Sequence, residues 1–124
     1  MFQKLQNLVE KTLLPQQEPS RLVVSDHEVA LFTEEREIWR FRWEAVSRIE
    51  TYKCDLLTTD LVCLDFFVES LNMKFPTNEE VQGFVTLREQ LLSHFPSIAE
   101  DWLPEVTLPP FAQNHKVLYE KMAA

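Results

Sequence analysis

Glycine is nearly absent from this chain: Gly83 is the only one in 124 residues. That excludes a glycine-rich phosphate loop and a dinucleotide fingerprint, both of which need several glycines to bring backbone N–H groups against a phosphate. Cysteine is scarce too, and Cys54 and Cys63 are too few for a disulfide scaffold. The three histidines, His27, His94 and His115, lie far apart, and none has a metal-ligand spacing. No stretch approaches the roughly 20 apolar residues of a membrane-spanning helix. Cations are in deficit, 12 against 20 acidic residues for a net charge of −8. Surfaces that bind nucleic acid or anionic membranes carry the opposite sign, so neither is expected as a partner.

What is present suits a single domain spanning 1–124. Hydrophobic residues make up 45% and charged residues 26%, enough apolar side chain to argue against disorder. The start, Met1-Phe2-Gln3-Lys4-Leu5-Gln6-Asn7, has no long apolar run and no cleavage site, so a cytoplasmic location is expected. Both cysteines then read as free buried thiols in a reducing compartment, with a cross-strand bridge as the competing reading.

Along the chain, Phe2, Leu5, Leu8, Val9 and Leu13 recur at helical spacing, predicting an N-terminal helix over 1–14 that Pro15 ends. Residues 21–75 then read as antiparallel strands. Arg21–Val24 and Val29–Thr33 flank the polar turn Ser25–Glu28, and Glu34–Arg36 makes a second turn. From Glu37 to Trp43 the sequence alternates, with Trp39, Phe41 and Trp43 on one face and Ile38, Arg40 and Arg42 on the other. A turn at Trp43–Ser47 leads to strands Arg48–Cys54 and Leu61–Val68, broken by Asp55–Asp60. Ser70–Phe75 alternates again, placing Leu71, Met73 and Phe75 on one face. Thr77 and Glu80 have capping-box spacing and predict a helix over 78–95. Val81, Phe84, Val85, Leu91, Leu92 and Phe95 would line its inner face, with Gly83 inside it, close-packed on the sheet. The 97–124 tail is expected to pack on the domain, and Asn114–Glu120 fits a strand or a helical turn. The fold class is therefore α+β: a bent antiparallel sheet or split barrel of about six strands, capped by one C-terminal amphipathic helix and preceded by another.

Catalytic chemistry finds little support. Reactive thiols need electropositive surroundings, whereas Cys54 adjoins Asp55 and Cys63 lies near Asp65. The spacing of Asp55, Asp60 and Asp65 does not match the alternating oxygen ligands of a calcium loop. Aromatics alternating with Arg40 and Arg42 can stack single-stranded bases, but at period two they fit a core better. No catalytic, cofactor-binding or metal-binding residues are assigned.

The order of elements resembles the pleckstrin-homology-like split barrel, including small uncharacterised bacterial proteins of that kind. The resemblance covers roughly Arg21 to Phe95. It rests on the strand pattern, on Arg42-Trp43-Glu44-Ala45-Val46 between two strands, and on the helix Glu79–Phe95. Cys54-Asp55-Leu56-Leu57-Thr58-Thr59-Asp60 and Leu108-Pro109-Pro110-Phe111-Ala112-Gln113-Asn114 are similar to segments of such bacterial proteins. The chain departs in strand count, about six against seven, and in its leading helix. Lipid-binding members use a basic loop between the first two strands. The matching loop here, Ser25-Asp26-His27-Glu28, is acidic, so the resemblance does not imply phosphoinositide binding.

The function expected is a non-enzymatic module that binds another protein, one of basic surface. An immunity or inhibitor protein that masks a basic toxin is one concrete form. The alternative is a small enzyme or ligand-binding protein with a pocket between sheet and helix. The expected contact residues are Asp26, Glu28, Asp55 and Asp60, on the reasoning that a second break in the meander returns to the end of the first turn. Because no ligand spacing exists, thermal melts with and without a strong chelator are expected to superimpose. A large fall in melting temperature with the chelator would reveal a structural metal.

Overall fold

A computed structural model describes residues 20–55, 60–107 and 113–121. The expected helix over 1–14 lies outside the described residues. Among the described residues seven strands, where the sequence predicts about six, form two antiparallel sheets. The first contains β1 (Ser20–Val24), β2 (Glu28–Thr33) and β3 (Arg36–Arg42) in that order. The second contains β4 (Arg48–Asp55), β5 (Asp60–Val68), β6 (Met73–Asn78) and β7 (Lys116–Glu120), in the order β6-β5-β4-β7. Two helices, α1 (Phe84–His94) and α2 (Trp102–Thr107), lie between β6 and β7 in sequence. The α+β class holds, with more sheet than helix. The undecided segment near the end is β7, which pairs antiparallel with β4 and has an irregularity between Ile49 and Glu50.

Alternation sets the core. In β3, Phe41 is buried while Arg40 and Arg42 are exposed. In β5, Val62, Leu64, Phe66 and Val68 face inward. The sheets meet along an aromatic seam: Phe41 lies 4.9 Å from Phe66 and 5.4 Å from Phe75, and Trp39 lies 5.4 Å from Phe75. Such pairs add about 0.5–1.5 kcal/mol each beyond their buried area. Helix α1 turns Phe84, Leu87 and Leu91 to the core, and α2 seals it with Trp102 and Val106. The buried Lys53 on the inner side of β4 donates its ammonium to the carbonyl of Thr107 at 2.8 Å, so a cation meets the negative end of α2.

Three expectations fail between Leu71 and Leu92. First, Leu71 falls in the 3₁₀ turn Glu69–Leu71 and is exposed, with the left-handed Asn72 after it, so the alternation starts only at Met73, which shares the face of Phe75 but is itself exposed. Second, Thr77 caps no helix. It sits in β6 with its side chain buried, and its hydroxyl finds no partner among the described residues. The strand continues because Glu79 pairs with Val62: the two backbones bond at 3.0 Å, and the Glu79 carboxylate accepts from Val62 N–H at 2.9 Å. The helix therefore starts at Phe84 rather than at residue 78. Third, Val85 is exposed, and Leu87 takes the inner position expected of it.

Gly83 lies just before α1, not inside it. Its φ is +96°, in the left-handed region, and the bond from Leu22 N–H to Gln82 carbonyl at 2.7 Å draws it against β1. A Cβ there would stand 2.7 Å from the Leu22 carbonyl oxygen. A glycine in mid-helix would gain about 1 kcal/mol on becoming alanine. Here Gly83→Ala is expected to cost about 1–3 kcal/mol in urea unfolding, from backbone strain and the clash together. A rise in stability would contradict this placement.

Candidate functional site

Arg42-Trp43-Glu44-Ala45 leaves β3 through a 3₁₀ turn, Trp43–Ala45, that Val46 N–H closes onto Trp43 carbonyl at 3.2 Å. The inward phase of β3 carries through to Trp43, which is buried. Its indole N–H donates to Ser25 carbonyl at 3.0 Å, and its backbone N–H to His27 carbonyl at 3.1 Å. The β1–β2 turn is thereby fastened to the end of β3. The His94 ring, in the last turn of α1, stacks on the indole at 4.5 Å and 14°. A cleft of about 310 Å³ opens here, its walls including Trp43, His94, Phe95 and Tyr119. Its charged groups are Asp26, Arg42, Glu44 and Lys121. Arg42 and Glu44 pair at 3.1 Å on the surface. The Asp26 carboxylate makes no hydrogen bond or ion pair among the described residues.

The four expected contact residues divide into two groups. Asp26 lines this cleft, and Glu28 opens β2 nearby, where Arg40 bridges its carboxylate to that of Glu37. Asp55 and Asp60 are opposed backbone partners at the far end of β4 and β5. Strand β4 leaves the Trp43 turn at Arg48, and its seven steps to Asp55 span about 23 Å at ~3.3 Å per residue. The second break therefore moves away from the first turn instead of returning to it. Asp26 and Asp55 cannot share one patch.

A second concavity, a groove of about 570 Å³, lies between the start of β4, the end of β5 and the Glu69–Leu71 turn. Arg48, Lys74, Lys121, Glu69 and Glu120 line it, beside Phe67 and the exposed Met73.

The outer face of the four-stranded sheet carries polar groups that the sequence reading passed over. Glu50 accepts from Arg48 Nε at 2.6 Å and pairs with His115 Nε2, while Arg48 NH1 reaches Glu120 at 2.7 Å. Directly opposite Glu50 stands Asp65, only 4% exposed. Its partners are distant: Tyr52 hydroxyl at 3.5 Å and Lys74 ammonium at 3.8 Å. Burial raises the pKa of Glu50, but the bonds from His115 and Arg48 outweigh it, and the result lies below the ordinary carboxylate range. Asp65 goes the other way: burial, helped by the charge of Glu50, raises its pKa against the weaker pull of Lys74 and Tyr52. Burial and the Asp65 charge raise Tyr52 as well. No group of three or more potential metal ligands occurs among the described residues. No helix among them is long and apolar enough to cross a membrane.

The opposed shifts set opposite pH dependences. Asp65, with its raised folded pKa, contributes stability in acid and loses it as pH rises through that pKa. Asp65→Asn is therefore expected to raise the melting temperature at neutral pH, with a gain that shrinks as pH falls through the carboxylate range. Glu50, with its lowered folded pKa, contributes above its unfolded pKa. Glu50→Gln should lose stability at neutral pH, and the loss should fade as pH falls through the folded pKa. A fall for Asp65→Asn of equal size at every pH would contradict the assignment.

No protein-family model, curated protein or solved structure matches this chain.

Proposed function

We propose that this domain is a non-enzymatic module that binds another protein, and that the cleft at the Trp43 turn receives a basic side chain of that partner. Immunity against, or inhibition of, a basic partner is the concrete form of this reading. One observation carries it: an aromatic-walled cleft lined by the Asp26 carboxylate, which has no partner among the described residues. Interface anchors are most often aromatic or arginine side chains seated in such clefts, and a carboxylate adds a charge-assisted bond to an incoming cation. The net charge of −8 favours encounter with a basic surface. Catalysis finds less support, because no nucleophile is hydrogen-bonded to a base around this cleft among the described residues. The resemblance to pleckstrin-homology-like split barrels belongs to the same proposal. Two antiparallel sheets support it, while β7 following the helices departs from it.

A second reading, a small-ligand carrier, draws on the groove of about 570 Å³ by Arg48 and Lys74, a volume within the ~300–1,000 Å³ of ligand sites. Native mass spectrometry of protein purified from its own cells separates the two, since a carrier would retain a small molecule.

The module reading is tested by quantitative capture from extracts of the native cell on immobilised wild type, Asp26→Lys, and a double reversal of Glu34 and Glu35. Basic proteins held by wild type should fall roughly tenfold on Asp26→Lys and persist on the double reversal. The melting temperature of each variant should stay within about a few degrees of wild type, because exposed charges add little stability. The same basic proteins held equally by all three would refute the assignment of Asp26.

A further inference from the structure

Cys54 and Cys63 stand on adjacent strands, β4 and β5, with their sulfurs 3.3 Å apart and both thiols free. The register sets Cys54 opposite Leu61 and Cys63 opposite Tyr52, so the two are diagonal neighbours on the outer face of the sheet. They differ in access: Cys54 is half-buried and Cys63 buried. We propose that this pair is a thiol–disulfide exchange site whose substrates are small disulfides of the glutathione type.

Unequal access fixes the order of events. Cys54, whose neighbour Asp55 lends no positive charge, reacts slowly: it gives its proton to water, and its thiolate attacks one sulfur of the small disulfide. That S–S bond breaks, a small thiolate leaves and takes up a proton, and a mixed disulfide remains on Cys54. The sulfur of Cys63 then attacks the Cys54 sulfur it already touches, breaking the mixed disulfide, and the proton of Cys63 passes to the departing small thiolate, which leaves as the second small thiol. The sum is one protein dithiol and one small disulfide giving one protein disulfide and two small thiols, with two electrons passing to the small molecule. Burial, with the hydrogen bond and charge of Cys54 adding to it, pushes the Cys63 thiol up to about 12. Cys63 is thus a poor first nucleophile and acts only at contact range.

Diagonal positions on paired strands have Cα atoms ~7–8 Å apart, wider than the ~4.4–6.8 Å of ordinary disulfides. The bridge would strain the hairpin and be reduced easily, which suits reversible exchange better than a permanent staple. It would close one residue from the Asp55–Asp60 end of the hairpin.

The test treats full-length protein with oxidised glutathione, quenches in acid, alkylates, and reads intact mass and peptide maps. Wild type should lose both free thiols to one intramolecular disulfide that dithiothreitol reverses. Cys63→Ala should stop at the mixed disulfide on Cys54. Cys54→Ala should leave Cys63 reacting roughly tenfold more slowly than Cys54 does in wild type. The proposal is overturned if wild type keeps glutathione on Cys54 with Cys63 free, stays unreacted, or bridges two chains. It is also overturned if Cys63 in Cys54→Ala reacts as fast as Cys54 in wild type. Should either variant fail to fold, the wild-type products decide alone.

Discussion

The burial of Trp43 is the constraint on which the rest of this domain depends. The indole bridges both sheets and the end of α1. It accepts edge-on contact from Phe41 and Phe66, lies beside Phe95, carries the His94 ring on its face, and donates to Ser25 of the first hairpin turn. Strand β3 delivers it there by simple alternation, and the 3₁₀ turn after it redirects the chain into β4. The fastening of the first hairpin turn, the packing of the end of α1 and one wall of the cleft all involve this one side chain. A smaller residue would leave a void bordered by four rings.

Much of the strand architecture was legible because it is written at period two with strong residues. Trp39, Phe41 and Trp43 against Ile38, Arg40 and Arg42 leave little choice of face, and the apolar run of β5 could only be interior. The segment after β6 misled because two signals coincided. Thr77 and Glu80 have the spacing of a capping box, but Thr77 also continues the inward phase of Phe75, and the pairing of Glu79 with Val62 extends the strand. Tertiary pairing overrode a local cap. Gly83 was traced correctly to close packing yet misplaced, since sequence does not reveal the sign of φ.

The polar outer face was invisible for a different reason. Glu50 and His115 are 65 residues apart in sequence and meet only because β7 returns to β4. The segment that forms β7 has a local pattern that fits helix or strand equally. Asp65 stood out in the sequence only through its spacing from Asp55 and Asp60 and its nearness to Cys63. Its position opposite Glu50 gives two like charges on neighbouring strands, and the environment resolves the conflict by holding one carboxylate ionised more firmly than the other. Such a divided pair is a reservoir of pH sensitivity even where it catalyses nothing.

The pairing of β7 with β4 also bears on how the domain forms. Arg48 meets Glu120 across a separation of 72 residues, and Thr51 meets Lys116. The strands between them are hairpins that close locally, but this last pairing must wait until the intervening helices have been made. A ribosome adding about 5–20 residues per second therefore leaves one side of β4 unpaired for seconds after β4 and β5 can zip together. During that interval the nascent sheet presents an open edge, the feature through which unfinished β-proteins join one another. Arg48 and Glu50 on that strand place opposite charges beside the open edge before Glu120 and His115 arrive to claim them.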